Sequence, residues 1–443
     1  MALPFSGSLS LSQVNVELNR SPTNIIEMND VSVRTLFGVP SGQISFSDGF
    51  GKSAVFSATL VRTLSPTDLN YFGTPNDDQV GKIAVYDNIM VVAIPREEIP
   101  AGTFRGVVRI YDINTGDIIN TIESPAPNNG QLWPSSVDIN SQFIAVGHQG
   151  YTGTHTSQGR VYLYNHQGVL QRIIENPDAT SNKELDNFGS DVKLNSTFLL
   201  VAAQSKEDAN GPWSGTCFLY SPSSGFLLQT ITNPNAAGTV ENDAFGWPIA
   251  MTNTHIAIAA NQEDLGGNLA GVVYVYTLSD ITATLAYTLP NPEVFPASGR
   301  FGYTLAMNDN YLAVGAVAPS PGRVRVYNVS TGNILYTLDG PNLAGDTTDD
   351  FFELAAKQDL LVVGSPREDV GQIDSGTVFV YEFSTGNLLH TISNPNNPSV
   401  SQVEVKQFGK VVATDGKTVI VGSPAVNSTI GTFQAGGVVY VYK

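Results

Sequence analysis

"GGVVYVYK", residues 436–443, is a run of strand-forming residues behind a pair of glycines, and its spacing governs how the whole chain is read. The pattern G-x-x-x-x-Y within it recurs at Gly106/Tyr111, Gly159/Tyr164, Gly215/Tyr220, Gly271/Tyr276, Gly322/Tyr327, Gly376/Tyr381 and Gly437/Tyr442, with successive copies 51 to 61 residues apart. Between Gly and Tyr nearly every residue is apolar or β-branched, as in "VVRI", "VVYV" and "TVFV". Such a run predicts a strand covered on both faces rather than an amphipathic one.

The surroundings of each copy repeat as well. After the first six copies comes a turn such as "NTG" or "STG", then a strand such as "ILYTL" or "LLHTI", then a proline at Pro125, Pro177, Pro234, Pro292, Pro341 or Pro395. Before all seven come two further strands, as in "FGKVVATDGKTVIVGSP" (408–424), the first opening at Val80, Trp133, Phe188, Phe245, Phe301, Phe351 or Phe408. Four strands per repeat in seven repeats predicts an all-β fold, a seven-bladed β-propeller of four-stranded blades. A proline closing each fourth strand fits an outermost edge, where a missing N–H costs least. Units of about 55 residues are marginal alone, whereas neighbouring blades bury one another.

The seventh copy is followed by no fourth strand in this sequence. "SATLVRTLSP" (57–66) matches the fourth strands "GNLLHTISNP" and "GNILYTLDGP", one residue shorter between its Thr and its Pro. The expectation is that residues 57–66 complete the last blade and leave no open edge. The propeller is accordingly assigned to 54–443, with a separate segment at 1–53.

Loop lengths distinguish the two faces. From the glycine of strand three to the proline after strand four is 18 to 21 residues in every complete copy. Strand two to strand three varies from 7 residues (Gly315 to Gly322) to 15 (Gly422 to Gly437), and proline to the next strand one from 8 (Pro125 to Trp133) to 14 (Pro66 to Val80). In a propeller these two variable connections leave the same face, and variable loops on a rigid scaffold are where binding usually sits. Trp213, in "ANGPWSG", lies in one of them and is the candidate contact for a sugar or a partner. Trp133 and Trp247 fall at or beside the strand-one aromatic position, where packing is the expected role.

Composition excludes several functions. The net charge of -18 argues against a nucleic-acid backbone as partner. The one cysteine, Cys217 in "GTCFLY", allows no disulfide framework and no zinc cluster and is expected to be a buried, inert thiol. The start "MALPFSGSLSLSQ" lacks the basic and apolar regions of a secretory signal, and no run reaches the ~20 apolar residues that span a bilayer. His148, His155, His166, His255 and His390 show no metal-ligand spacing, and His148 and His155 are expected in one solvated loop. No nucleophile elbow appears, and Asp346, Asp349 and Asp350 in "GDTTDDFF" are expected to form a solvated acidic loop rather than a catalytic carboxylate pair. No enzyme, metal or cofactor is expected.

"FGYTLAMNDNYLAVGAV…GRVRVY" and "FG…VVATDGKTVIVGSP…GGVVYVY" resemble FG-GAP-type propeller repeats over about residues 57–443. Members of that class often hold calcium in an acidic loop between strands one and two. Here those connections are tight turns ("LNST", "TNTH", "TDGK", "MNDN") without D-x-D-x-D-G spacing, so the resemblance does not carry calcium over.

Residues 1–53 have a different character. "SLSLSQVNVELN" predicts a short helix with Leu11, Val14 and Leu18 on one side, and "MNDVSVRTLFGVP" a second carrying Val31 and Leu36. Both hold too little apolar material for an independent domain, so they are expected to pack against another chain. "LSLSQVNVEL", "NDVSVRTLFG" and "SGQISFSDGFGKS" resemble an N-terminal module of tailed-bacteriophage virion proteins, which accompanies tail, baseplate or fibre components. The resemblance implies attachment to a virion assembled in the host cytoplasm. Its implied partners are other virion proteins, in multiple copies, and a host-surface glycan or protein on the propeller. A capsid or neck decoration with a purely structural role is the alternative, and a glycan-processing enzyme a weaker third.

Overall fold

The computed structural model describes residues 56–64, 80–95, 98–99, 103–104, 106–126, 133–178, 185–207, 213–235, 242–293, 299–317, 322–340, 353–368, 375–395, 403–423, 425–428 and 437–443. Leu11, Val14, Leu18, Val31 and Leu36 lie outside the described residues, as do Phe351, Asp346, Asp349 and Asp350.

The chain forms an all-β propeller of seven four-stranded antiparallel blades. Blades 1 to 6 occupy residues 82–123, 136–175, 188–232, 245–290, 304–339 and 353–393, each with its strands in sequence order. Blade 7 takes Val411–Thr414, Val419–Ser423 and Val438–Tyr442 from the end of the sequence and its outermost strand, Leu60–Leu64, from the beginning. That strand runs antiparallel to Val438–Tyr442, with Leu60 opposite Tyr442 and Leu64 opposite Val439. The compact propeller unit spans Leu60–Tyr442. Two small ribbons, Glu98–Ile99 with Thr103–Phe104 and Val403–Lys406 with Ala425–Ser428, project from the variable connections.

Position within a blade explains composition. The first strands of successive blades adjoin one another around the axis. Third strands are covered on both faces, and Thr216–Tyr220 and Val438–Tyr442 are buried at every position. Fourth strands form the outer wall. There one residue in six is buried, as at Ile122 in Ile118–Glu123 and Ile392 in Leu388–Ser393. The hydrophobic cores lie between blades, not within them. Leu200, Cys217 and Leu219 of blade 3, for example, pack with Phe245, Ile258 and Tyr274 of blade 4.

The conspicuous glycine of each repeat serves this junction. At Gly106, Gly159, Gly215, Gly271 and Gly376, a β-carbon would stand 1.6 to 2.2 Å from the carbonyl oxygen of Trp133, Phe188, Phe245, Phe301 or Phe408 in the next blade. The same glycines have φ between +60° and +88°, a region that side chains disfavour. The aromatic ring that follows each contact is fully buried and packs on its own blade's third strand, as Phe188 does on Phe218 and Phe408 on Tyr440.

A second seam runs around the outer wall. In every blade the fourth strand carries a bulge just after the residue paired with the third strand's tyrosine: Tyr111 pairs with Ile118 but Ile110 with Asn120, Tyr276 with Leu285 but Val275 with Tyr287, and the strand at Leu60–Leu64 shows the same break between Leu60 and Arg62. The bulge blunts the exposed edge and re-aims the residue that follows it. The residue just after the bulge reaches a backbone carbonyl of the next blade: Arg62 to Asn114, Asn120 to Gln167, Arg172 to Ser223, Gln229 to Ala283 and Tyr287 to Val329, at 2.6 to 2.9 Å. Tyr336 makes the same bond to Phe383.

Replacing Gly376 with alanine is expected to cost about 3–5 kcal/mol, because strained backbone and a backbone clash add. Gly266, with φ +93° and nothing within 4 Å of its added carbon, supplies the control. Gly266→Ala should cost only about 1 kcal/mol in the same denaturant titration. A chain beginning at residue 67 is expected to aggregate or lose cooperative melting, whereas one beginning at residue 54 melts normally. Equal melting of the two would show that Leu60–Leu64 does not hold the ring closed.

Candidate functional site: the channel mouth and the variable face

Antiparallel blades place the first-to-second and third-to-fourth turns at one end of the propeller and the variable connections at the other. The turn end is tied down. Asn140 and Asn195 accept backbone N–H bonds within their own turns through Oδ1 and donate through Nδ2 to the carbonyls of Asn195 and Thr252 in the next blade, both at 2.7 Å. The side chains of these turns are thus committed to their own backbone and their neighbours.

At the other end the loops differ in length but share a base. In four blades the residue three beyond the second strand, Tyr151, Lys206, Glu263 or Glu368, donates its N–H to the strand's last carbonyl. Its own carbonyl accepts the N–H of Gly159, Gly215, Gly271 or Gly376 at 2.8 to 3.1 Å. Whatever extends beyond that clamp can vary without disturbing the blade. Trp213 sits in this position in blade 3, 53% exposed and with φ +57°. It is the sequence-derived candidate, and its carbonyl accepts the N–H of Ala244, which leads into the first strand of blade 4, at 3.2 Å.

The first strands line the channel with charge. Lys82 of blade 1 pairs with Glu353 of blade 6 at 3.1 Å, passing over blade 7. Lys193 pairs with Asp191 at 3.0 Å. Asp138 accepts the N–H of Leu194 at 2.6 Å and Asp191 that of Ile249 at 3.2 Å, so each carboxylate is held by the next blade. Glu353 raises the Lys82 ammonium, and burial raises the Asp138 carboxyl. Burial lowers Lys193, but Asp191 and Asp138 outweigh it and leave it raised. The Lys82 side chain is nevertheless 49% exposed, so water screens its pair, which is worth at most about 1 kcal/mol. The Lys82–Glu353 pair therefore adds little to stability.

Two expectations about aromatic and histidine positions need correction. Trp133 is fully buried, as its strand-one position suggests. Trp247 is not: Phe245 fills the core position, and Trp247, two residues on, turns to the channel with 40% exposure. Its ring lies 6.4 Å from that of Tyr303 in blade 5. His148 is no solvated loop residue. It ends the second strand of blade 2 at 1% exposure, against Trp133 (5.3 Å), Tyr151 (5.7 Å) and Tyr162 (6.4 Å). Its period-two position points it inward, a signal that the neighbouring Gln149 and Gly150 obscure. Neither ring nitrogen of His148 nor Nε1 of Trp133 has a hydrogen-bond partner. The Arg160 guanidinium covers the Tyr151 ring at 3.8 Å and is bound to Glu175. Burial, with the Arg160 charge adding to it, lowers the His148 imidazole to about 4.

Sequence reading also missed Arg109 and Arg325, which occupy the centres of third strands at 1% and 3% exposure. Arg325 and Arg323 both bind Glu293. Cys217 is buried, and burial pushes its thiol up. Among the described residues no group of three His, Cys, Asp or Glu is placed to hold a metal ion, and no helix is long and apolar enough to cross a membrane.

No family model matches the chain, and no curated protein sequence is similar to it. Among solved structures it is similar to the β-propeller domain of the Trilobed protease from Pyrococcus furiosus, described as having an open velcro topology. The TM-score is 0.51 at 10% identity, covering 83% of this chain and 94% of that one. Likeness at that identity concerns the fold alone.

The His148 environment has a measurable consequence. An unfolded histidine binds a proton near pH 6.5, whereas the folded one resists until about pH 4. Its contribution is therefore present above pH 6.5 and lost as pH falls toward 4, amounting to about 3 kcal/mol. His148→Phe, which keeps the ring packing, should flatten that part of the stability profile in urea titrations across this range. Parallel profiles for the two proteins would show that His148 does not titrate this way.

Proposed function

We propose that the protein is a non-catalytic virion component of a tailed bacteriophage, in a tail, baseplate or fibre, that attaches through residues 1–53 and displays an FG-GAP-type propeller. The observation that carries this reading is the triple match of "LSLSQVNVEL", "NDVSVRTLFG" and "SGQISFSDGFGKS" to the phage attachment module. The asymmetry of the propeller supports it, because one end is tied into short turns and the other presents clamped loops of varied length with Trp213 exposed. Such a body suits recognition of a host-surface glycan or protein at the variable end. Its location is the virion, assembled in the host cytoplasm, with several copies contacting other virion proteins.

A second reading, capsid or neck decoration with a purely structural role, is favoured by one feature. The outer strands expose paired aliphatics, among them Ile118 and Ile119, Ile334 and Leu335, and Leu388 and Leu389, which suits lateral packing against neighbours.

Deleting residues 1–53 is expected to leave a soluble propeller that no longer joins particles. Serine at Leu11, Val14 and Leu18 should act similarly, because each loses about 1.5–3 kcal/mol of burial at the contact. Quantitative immunoblotting of purified particles measures both. Full incorporation of the truncated chain would remove the main support for the anchor.

A further inference from the structure

Trp247 is not the core residue of its blade. Phe245 already fills the core position of its blade with no exposure, and the fully buried Trp133 shows how a tryptophan sits when packing is its task. The Trp247 backbone, by contrast, is held firmly. Its N–H donates to the Ala244 carbonyl at 3.1 Å, and its own carbonyl accepts from Nδ2 of Asn261, a side chain 1% exposed. Two residues along, the Ile249 N–H is bound by Asp191 of blade 3. The indole is thus a preorganised aromatic surface left facing water on the innermost strand, at the end where that strand enters from the variable loops.

Its neighbours define what it suits. Tyr303 of blade 5 stands beside it, its ring 6.4 Å away and tilted 54° to the indole rather than stacked on it, so neither ring face is covered by the other. Hydrogen-bonding groups flank these rings: Asp191 with Lys193 on the blade 3 side, and Glu353 with Lys82 beyond blade 5. Both lysines are already paired to carboxylates, and Asp138 adds a third acid. Lys410, just before the first strand of blade 7, is a third cation and donates to Gln407, so three ammonium groups stand against the three carboxylates Asp138, Asp191 and Glu353 and the described charges balance. An apolar ring face beside paired donors and acceptors matches a ligand with one C–H face and a rim of hydroxyls.

We propose that Trp247 and Tyr303, with Asp191 and the Lys82–Glu353 pair, form a subsite at the channel mouth for a neutral hexose or N-acetylhexosamine residue of a glycan. This deepens the reading of the variable end as a recognition surface and rests on it, moving the contact from the Trp213 loop to the channel. The pyranose C–H face lies on the indole, and the carboxylates and ammonium groups meet its hydroxyls. Trp213 lies in a loop of the preceding blade, bonded to the Ala244 N–H through its backbone carbonyl, and its side chain is no part of the proposed subsite.

The test uses the full chain, apart from any particle. Neutral oligosaccharides ending in glucose, galactose, N-acetylglucosamine or N-acetylgalactosamine are titrated by tryptophan fluorescence and calorimetry, with sialylated oligosaccharides and choline as charged probes. Saturable binding of at least one neutral sugar is expected. Trp247→Ala should weaken it about ten-fold or more, Trp247→Phe should restore part of it, and Trp213→Ala should leave it unchanged. Trp247 is 40% exposed, so its replacement should cost less than a core substitution, and a thermal scan checks that the variants remain folded at the titration temperature. No neutral sugar binding, binding only of a charged probe, or binding that survives Trp247→Ala while failing in Trp213→Ala would overturn the subsite. Particle incorporation of Trp247→Ala separates the two ideas. Sugar binding by a chain that never enters particles sinks the virion reading alone, and normal incorporation without sugar binding sinks the subsite alone.

Discussion

The contact on which the rest of the propeller depends is between backbones: at five junctions the glycine that opens a third strand lies directly against the carbonyl of the aromatic residue that opens the next blade, and Gly437 meets the Val80 backbone N at the ring's last junction. At Gly376 the gap is too small for a methyl group, with the Phe408 oxygen 2.2 Å from where one would stand. Nothing but hydrogen allows that approach, and it sets the distance between sheets. With the backbones seated, the aromatic side chain is delivered beneath its own third strand, and the core between blades closes over it. Because the core lies between blades, no blade is complete without the next. The ring therefore needs its last junction as much as its first, which gives the early strand Leu60–Leu64 its place beside Val438–Tyr442.

The two seams divide the work. The inner one, glycine against aromatic carbonyl, is steric and apolar. The outer one, formed by the residue just after the bulge in the fourth strands, is a set of hydrogen bonds to neighbouring carbonyls. The chemistry of the outer donors varies, from Arg62 and Asn120 to Tyr287, while their reach is conserved in space. A carbonyl accepts from any of these groups, so the seam constrains geometry more than identity. Both seams leave the variable end free. There the clamp between residues such as Glu263 and Gly271 isolates each loop from the blade below it.

Polar groups in this protein follow two regimes. Along the channel, Lys82 is paired with Glu353 yet half exposed, and Lys193 is paired with a more covered Asp191. Between blades, His148 is ringed by Trp133, Tyr151 and Tyr162, and burial first, with the Arg160 charge second, disfavours its protonated form. The first regime keeps charge available to a visitor. The second ties stability to acidity.

Most of the architecture was legible in the sequence, because a propeller repeats one local solution and each copy must carry the same glycine, tyrosine and turn. Seven blades, four strands in each, and the distinction between short and variable connections followed from spacing alone. The likeness of "SATLVRTLSP" to the other fourth strands lay there too, since edge strands share an exposed pattern wherever they fall in the chain. Side-chain direction was not legible. Whether Trp247 packs or faces water turns on which of two neighbouring positions enters the core, and a strand that starts at an aromatic residue leaves that choice to the twist of the blade. His148 looked like a loop residue because only the partner strand Arg160–Tyr164 extends its own strand that far. The Lys82–Glu353 pair joins residues 271 apart in sequence, and the outer hydrogen bonds join residues about 50 apart. Local pattern specifies which strands form, but only closure of the ring decides which side chains meet across it.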